Sequence, residues 1–395
     1  MAGILPDPDG MLPRAHPDDT LSAHFLAQGD HPAVEVAGWM AGFIARARAS
    51  LDIALYDCRL DDATVASIAE ALRDRLEAGV RVRLVYDAGD RKPQGPEAMD
   101  AIGADPAERN THERVAELGL PSEFVRACRG QGLMHHKYIV RDGEYVWTGS
   151  MNWSHDSMER MENTLLTLRS RDLADYFALD FEQLYGTGEI GTSGAFRTEP
   201  RTLRLHGLST QVDVDFSPGQ GQHINEWVAR RVGDARRRVV LCSMLFTSSK
   251  LLNALLEQLD RGQVELWGVI DETQMAGVLY QWRDNPQLAW KVDAVRRIVA
   301  EAGLVGKRSV PYSPGQRHNF MHCKMVIADD MVITGSYNLS HNAQGNAENM
   351  LAITNTAFAG EAIAYVDQLR RRYADGQDRG PTGGVGVEVD TNRDR

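Results

Sequence analysis

The chain has 395 residues, which is too long for one ordinary core and suits two domains of roughly 150 to 200 residues. Hydrophobic residues make up 43% and charged residues 25%, the composition of a globular protein rather than a disordered or membrane-spanning one. A net charge of -12, from 55 acidic against 43 basic residues, argues against a broad, non-specific nucleic-acid surface but leaves room for a local basic pocket.

Along the chain, residues 1–30 are rich in Pro, Asp and Gly and read as an irregular arm; the start lacks the basic and apolar regions of a secretory leader. Ala49 to Tyr56 reads as a strand, Asp62 to Glu77 as an amphipathic helix, and Gly79 to Tyr86 as a second strand. Gly89 to Asn110 reads as a rim loop over a pocket or as an ordinary surface excursion. Met134 to Val140 is β-like, followed by a turn at Arg141 to Glu144 and a strand ending in Thr148-Gly149-Ser150. Glycine, threonine and proline cluster over residues 188–222, which read as a linker. The second half repeats the order: strand Arg238 to Leu245, helix Ser248 to Asp260, strand Gln263 to Ile270, then Met321 to Ala328 with a turn at Asp329-Asp330. The polar, glycine-rich stretch 375–395 reads as a disordered tail.

These boundaries give two domains, 31–187 and 223–374. Alternating strands and helices favour an α/β fold with mixed, largely parallel sheets. The longest apolar run, Val239 to Phe246, is far too short to span a membrane. Cys58, Cys128, Cys242 and Cys323 are too few for a disulfide framework and read as reduced thiols of a cytoplasmic protein.

One constellation occurs twice, 187 residues apart. The first copy is His135-x-Lys137-x4-Asp142 followed by Gly149-Ser150-x-Asn152. The second is His322-x-Lys324-x4-Asp329 followed by Gly335-Ser336-x-Asn338. Each is trailed by an acid–amide pair, Glu162-Asn163 and Glu348-Asn349. Strand alternation puts the histidine and lysine of each copy on one face and turns His136 and Cys323 to the other, so neither adjacent pair can easily chelate one metal ion. Returning through the turn, the second strand brings the asparagine back beside the histidine and lysine. Phosphodiester cleavage needs in-line attack, charge stabilisation on the non-bridging oxygens and a proton for the leaving oxygen. Two lysines and two asparagines can supply the stabilisation. Histidine can serve as neutral nucleophile or as acid. Packed about a pseudo-twofold axis, the halves would place the two histidines on either side of one phosphorus atom.

With both copies in register over residues 31 to 373, the sequence resembles the phospholipase D superfamily, whose signature is H-x-K-x4-D with a downstream G-S-x-N. The resemblance implies two pseudo-twofold-related α/β/α lobes sharing one site, and a covalent phosphohistidine formed without metal or other cofactor. Carried over by position, His135 and His322 are nucleophile and general acid, and family precedent favours His135 as the nucleophile. Lys137, Lys324, Asn152 and Asn338 bind phosphate, Ser150 and Ser336 support that pocket, and Asp142 and Asp329 brace the hairpins. Glu162 and Glu348, each ten residues past the motif asparagine, match the acidic position that orients a histidine. Six residues separate Asp142 from Gly149 but five separate Asp329 from Gly335; a shorter turn explains the difference, and either Asp329 or Asp330 then braces the second hairpin.

The leading substrate is a phospholipid, cleaved at its headgroup to give phosphatidic acid or passed to an alcohol by the same intermediate. The alternative is a nuclease. A catalytically inactive binding module is more distant, because both half-sites are intact. At most peripheral membrane contact is expected, and a duplicated chain can close its site as a monomer.

Overall fold

A computed structural model describes residues 21–89, 111–205, 207–313 and 316–374. The first twenty residues of the expected arm, the expected rim stretch from 90 to 110 and the tail 375–395 lie outside the described residues.

The first half runs β1 (Leu21–Leu26), α1 (Ala33–Ala45), β2 (Ser50–Leu55), β3 (Cys58–Arg59), α2 (Asp62–Glu77), β4 (Arg81–Asp87), α3 (Thr111–Glu117) and β5 (Val125–Cys128). It continues through β6 (Lys137–Arg141), β7 (Tyr145–Gly149), β8 (Trp153–Ser154), α4 (His155–Glu159), β9 (Asn163–Arg169) and α5 (Arg171–Thr187). The second half has β10 (Arg201–Leu205), β11 (Leu208–Ser217), α6 (Gly221–Asp234), β12 (Arg238–Ser243), α7 (Ser249–Arg261), β13 (Glu265–Asp271), α8 (Glu272–Trp282) and α9 (Ala289–Glu301). It ends with β14 (Gly303–Lys307), β15 (Lys324–Ala328), β16 (Met331–Gly335), β17 (Glu348–Thr354) and α10 (Thr356–Ala374).

Local chemistry accounts for these elements. In α2 the buried Val65, Ile68, Ala69 and Leu72 recur at helical spacing, and the Asp61 carboxylate caps the first turn by accepting from the Thr64 amide at 2.9 Å. A left-handed Gly262 ends α7, where any other residue would be strained.

Seven strands form the first sheet in the order β1-β9-β7-β6-β2-β4-β5; eight form the second in the order β10-β11-β17-β16-β15-β12-β13-β14. Both sheets are mixed, but the expectation that they are largely parallel is wrong. Only β2-β4-β5 and β12-β13-β14 run parallel; the other neighbours in each sheet are antiparallel. The reason is connection length. Tight hairpins such as β6–β7 and β15–β16 can only return antiparallel, whereas helical crossovers are needed for parallel neighbours.

Two further expectations are corrected. Residues 21–26 of the supposed irregular arm form β1, paired antiparallel with β9 through Leu21↔Leu168 to Leu26↔Asn163. The supposed linker contains the hairpin β10–β11, whose alternate residues Leu203, Leu205, Val212, Val214 and Phe216 are buried. Glycine and proline flanking that alternation masked it. β11 then pairs with β17, so this segment completes the second sheet.

A core shared by the two lobes lies between the sheets. It takes Tyr138, Val140 and Leu168 from the first, Met325, Ile327 and Leu351 from the second, and residues of α5 and α10. Outer cores under α1–α2 and under α6–α9 complete a layered α/β arrangement. The four cysteines are buried and form no disulfide. Among the described residues no helix is long and apolar enough to cross a membrane.

Candidate active site

The two hairpins place the duplicated residues. In β6–β7 the pair Arg141↔Tyr145 leaves a three-residue turn, and in β15–β16 Ala328↔Met331 leaves two, which is the one-residue difference in motif spacing. Asp142 and Asp329 open these turns in the left-handed conformation, with φ 57 and φ 53. The Asp142 carboxylate accepts from the amides of Arg48, Ala49 and Ser50 at 2.7–3.1 Å. Asp329 accepts from those of Arg236, Arg237 and Arg238 at 2.8–3.2 Å, and these amides hold its carboxyl below the usual range. Asp329, not Asp330, is therefore the equivalent of Asp142; Asp330 instead meets the Arg237 and Arg238 guanidiniums.

The residue preceding each histidine is also anchored. Asp87, the last residue of β4, accepts from the Met134 amide at 2.7 Å, and Asp271, the last of β13, accepts from the Met321 amide at 2.9 Å. Burial pushes the Asp271 carboxyl up to about 6. Sequence reasoning missed this pair, although an aspartate closing the same strand of each half was a visible signal.

Across the lobes, the Leu133–His135 segment is stitched to Asn346–Ala347. Ala347 donates to the Leu133 carbonyl at 2.7 Å, His135 donates to the Ala347 carbonyl at 2.8 Å, and the Asn346 side chain accepts from the Leu133 amide at 2.8 Å. No side chain fits in this seam at Gly132, where a Cβ would lie 1.9 Å from the Gly345 carbonyl oxygen. The stitching delivers Glu348 to His135. Its carboxylate lies 2.7 Å from the imidazole Nδ1, and both side chains are fully buried. His135 Nε2 is buried with no hydrogen-bond partner among the described residues. Tyr56 packs edge-on against the imidazole at 4.7 Å.

Lys137 and Lys324 are buried, each donating to the carbonyl of the histidine two residues before it, at 2.5 and 2.7 Å. Asn152 and Asn338 are buried as well, and Asn152 Oδ1 has no partner among the described residues. Burial disfavours every charge in this pocket. It pushes His135 well below its ordinary value, with Lys137, Lys324 and His322 adding to the effect. His322 is lowered by burial and then by Lys324, Lys137 and Arg59. The two histidines and two lysines thus lie within range of one another's charge. Burial lowers Lys137 strongly and brings Lys324 to about 7, while it raises Glu348 to about 8 against the pull of both lysines. An entering anion would reverse the penalty on the lysines.

Glu162 is a correction. It does not orient a histidine: its carboxylate receives a hydrogen bond from Lys307 Nζ at 2.6 Å, one from the Tyr373 hydroxyl and one from the Gln28 amide at 3.3 Å. A buried ammonium on β14 outcompetes a neutral imidazole for that carboxylate. In its place Asn163 Oδ1 meets His322 Nδ1 at 3.0 Å. Ser150 Oγ lies 2.7 Å from Asn163 Oδ1, and Ser336 hydrogen-bonds Glu348. The two serines thus hold the groups that orient the imidazoles. His136 and Cys323 turn to the opposite face, His136 to Asp180 and Asn349, Cys323 to Thr164 and Tyr365. Trp153 is core, 1% exposed.

Comparison with known proteins agrees with this architecture. Mitochondrial cardiolipin hydrolase of Xenopus tropicalis is 27% identical over 142 residues, 36% of this chain and 57% of that protein. The Homo sapiens protein of the same name is 27% identical over 139 residues, 35% of this chain and 46% of that protein. The chain therefore spans about half the length of these curated relatives. Phosphatidylserine synthase of Haemophilus influenzae has a similar fold, with a TM-score of 0.59 and 16% identity, covering 91% of this chain and 87% of that one. Residues 40–185 and 228–370 match the family described as "Cardiolipin synthase, PLD-like domain", and the chain belongs to that phospholipase D-like family.

Proposed function

We propose that this protein is a phosphodiesterase that opens the headgroup diester of a phospholipid through a covalent phosphohistidine on His135. The observation that carries the reading is the cross-lobe pair His135–Glu348 at 2.7 Å with His135 Nε2 left unpartnered. With Glu348 ionised, the Nδ1 proton is donated to its carboxylate and the lone pair sits on Nε2, the form a nucleophile needs; because burial raises Glu348 to about 8, that form gains as pH rises.

In the first step the Nε2 lone pair forms an N–P bond while the P–O bond to the headgroup oxygen breaks, leaving the phosphatidyl group on His135, and His322 supplies the proton to the departing oxygen. Lys137, Lys324, Asn152 and Asn338 donate to the non-bridging oxygens, each such contact in a dry site being worth on the order of 10²–10³ in rate. In the second step water, or an alcohol, gives its proton to His322 and attacks phosphorus; the N–P electrons return to His135. Hydrolysis and transfer differ only in the acceptor.

A phospholipid is favoured over nucleic acid by the lipid named in the curated relatives and by a net charge of -12, which repels a polyanion. The test is purified protein, in excess chelator, offered bis(p-nitrophenyl) phosphate, anionic and zwitterionic phospholipid vesicles and single-stranded DNA. Turnover of the aryl diester and a phospholipid, lost in His135→Ala and His322→Ala, is expected. Degradation of DNA with intact lipid would transfer the site to nucleic acid, and loss of all activity on chelation would contradict the phosphohistidine route.

A further inference from the structure

The two half-sites look equivalent when residues are counted from the motif asparagine, but sheet register shows that they are not. Gly149 pairs with Leu165, and Gly335 pairs with Met350. A Cβ on Gly149 would strike the Thr164 carbonyl, and one on Gly335 the Asn349 carbonyl. Thr164 is therefore the equivalent of Asn349, and Asn163, not Glu162, is the equivalent of Glu348. The segment from Asn152 to Asn163 is one residue longer than that from Asn338 to Glu348, which is why counting fails. One imidazole faces a carboxylate and the other an amide.

The amide is fixed in orientation. Asn163 Nδ2 donates to the Ser157 carbonyl at 2.8 Å and contacts Ser157 Oγ at 3.1 Å, so Oδ1 is the atom presented to His322 Nδ1 and Ser150 Oγ. The nearby carboxylate of Glu162 is held away by Lys307, itself 1% exposed, together with Tyr373 and the Gln28 amide. His322 is flanked by cations, Lys324 from β15, Lys137 from β6 and Arg59 from β3, which lower it, while a hydrogen bond with the Ser150 backbone raises it.

Resting on the phosphohistidine reading, we infer that Asn163 is a positioning residue that makes His322 a weak base, so that removal of the phosphoryl group from His135 is the slow half of the cycle. Lys307 sustains this by keeping Glu162 off the imidazole. When the leaving group departs as a good anion, the first step draws little on His322. The second step requires His322 to take a proton from the incoming oxygen as the N–P bond breaks. An amide stabilises the resulting imidazolium less than a carboxylate does, so the phosphoenzyme accumulates.

Rapid-quench kinetics with bis(p-nitrophenyl) phosphate test this. The wild type is expected to release nitrophenolate in a burst of about one per chain, with an acid-labile nitrophenylphosphoryl-histidine building in parallel. Asn163→Asp places a carboxylate on His322 in nearly the same volume. It should shrink the burst several-fold, raise the steady-state rate, and move the limb of the pH–rate profile that reports His322 upward by about one to two pH units. Asn163→Ala, which removes orientation without adding charge, should lower the rate and leave that limb within a few tenths of a unit. A wild type that turns over and labels His135 without a burst, or an active Asn163→Asp with an unmoved limb, would overturn the asymmetry alone. A wild type that turns over with no phosphohistidine at all would overturn the underlying reading and this inference with it.

Discussion

Replacing Glu348 with glutamine should separate activity from stability. The carboxylate lies 2.7 Å from His135 Nδ1, and both side chains are fully buried, so no water can take over the contact. Glutamine has the same shape but can present N–H to Nδ1, which drives the imidazole proton onto Nε2 and removes the nucleophilic lone pair. Tautomer errors of this kind in histidine-based sites cost about 10²–10⁴ in kcat, and a fall of that order is expected for Glu348→Gln. Stability should move the other way. Burial raises the Glu348 carboxyl from 4.5 to about 8, so between those values the folded protein binds more protons than the unfolded one. Below about pH 4.5 the carboxyl is protonated in both states and carries no charge penalty. As pH rises from 4.5 to 8 the penalty grows, levelling off above 8 at an upper bound of about 5 kcal/mol. Glutamine never ionises, so the variant should match the wild type near pH 4.5 and exceed it by a few kcal/mol at pH 9. Urea unfolding across pH, paired with aryl diester turnover, measures both quantities. Activity within about threefold of wild type would rule out the tautomer role of Glu348, and a stability difference that stays flat with pH would rule out its buried charge.

The hairpin braces make a second prediction. Asp142→Ala and Asp329→Ala each lose three backbone hydrogen bonds to a charged acceptor and force alanine into positive φ, so each should cost about 2–4 kcal/mol in thermal or urea unfolding. Asp142→Asn, which tolerates the conformation and keeps one oxygen, should cost less; Asp330→Ala, on surface ion pairs, should cost under about 1 kcal/mol. Lys324 at about 7 is mostly neutral at pH 8, and a bound anion restores its charge. Vanadate binding at pH 8 should therefore take up close to one more proton than at pH 6, read by calorimetry in buffers of different ionisation enthalpy. Gly132→Ala should separate the seam that delivers Glu348, lowering activity far more than Gly119→Ala, a position with open space but a φ of 73.

Much of the site was legible because it is local. A strand, a tight turn and a returning strand carry histidine, lysine, aspartate, serine and asparagine in one hairpin, so spacing alone groups them. What sequence did not reveal depends on contacts between distant segments. No motif marks Lys307, and only the packing of β14 against the residues before β9 brings it to Glu162. Counting from Asn152 points to Glu162, because an extra residue before β9 is invisible until Gly149↔Leu165 fixes the register. The strands β1 and β10–β11 were missed for another reason. Gly, Pro and Thr flank their alternation, and burial against the shared core, rather than local propensity, makes them strands.

If the two lobes form one reaction centre with a single nucleophile, only one histidine per chain should become phosphorylated. Protein quenched during turnover and digested at alkaline pH should carry at most one phosphoryl group per chain, on His135. None should appear on His322, and none should form in Glu348→Gln on the same time scale. Phosphoryl groups on both histidines of one chain, or steady turnover with neither ever labelled, would contradict that arrangement.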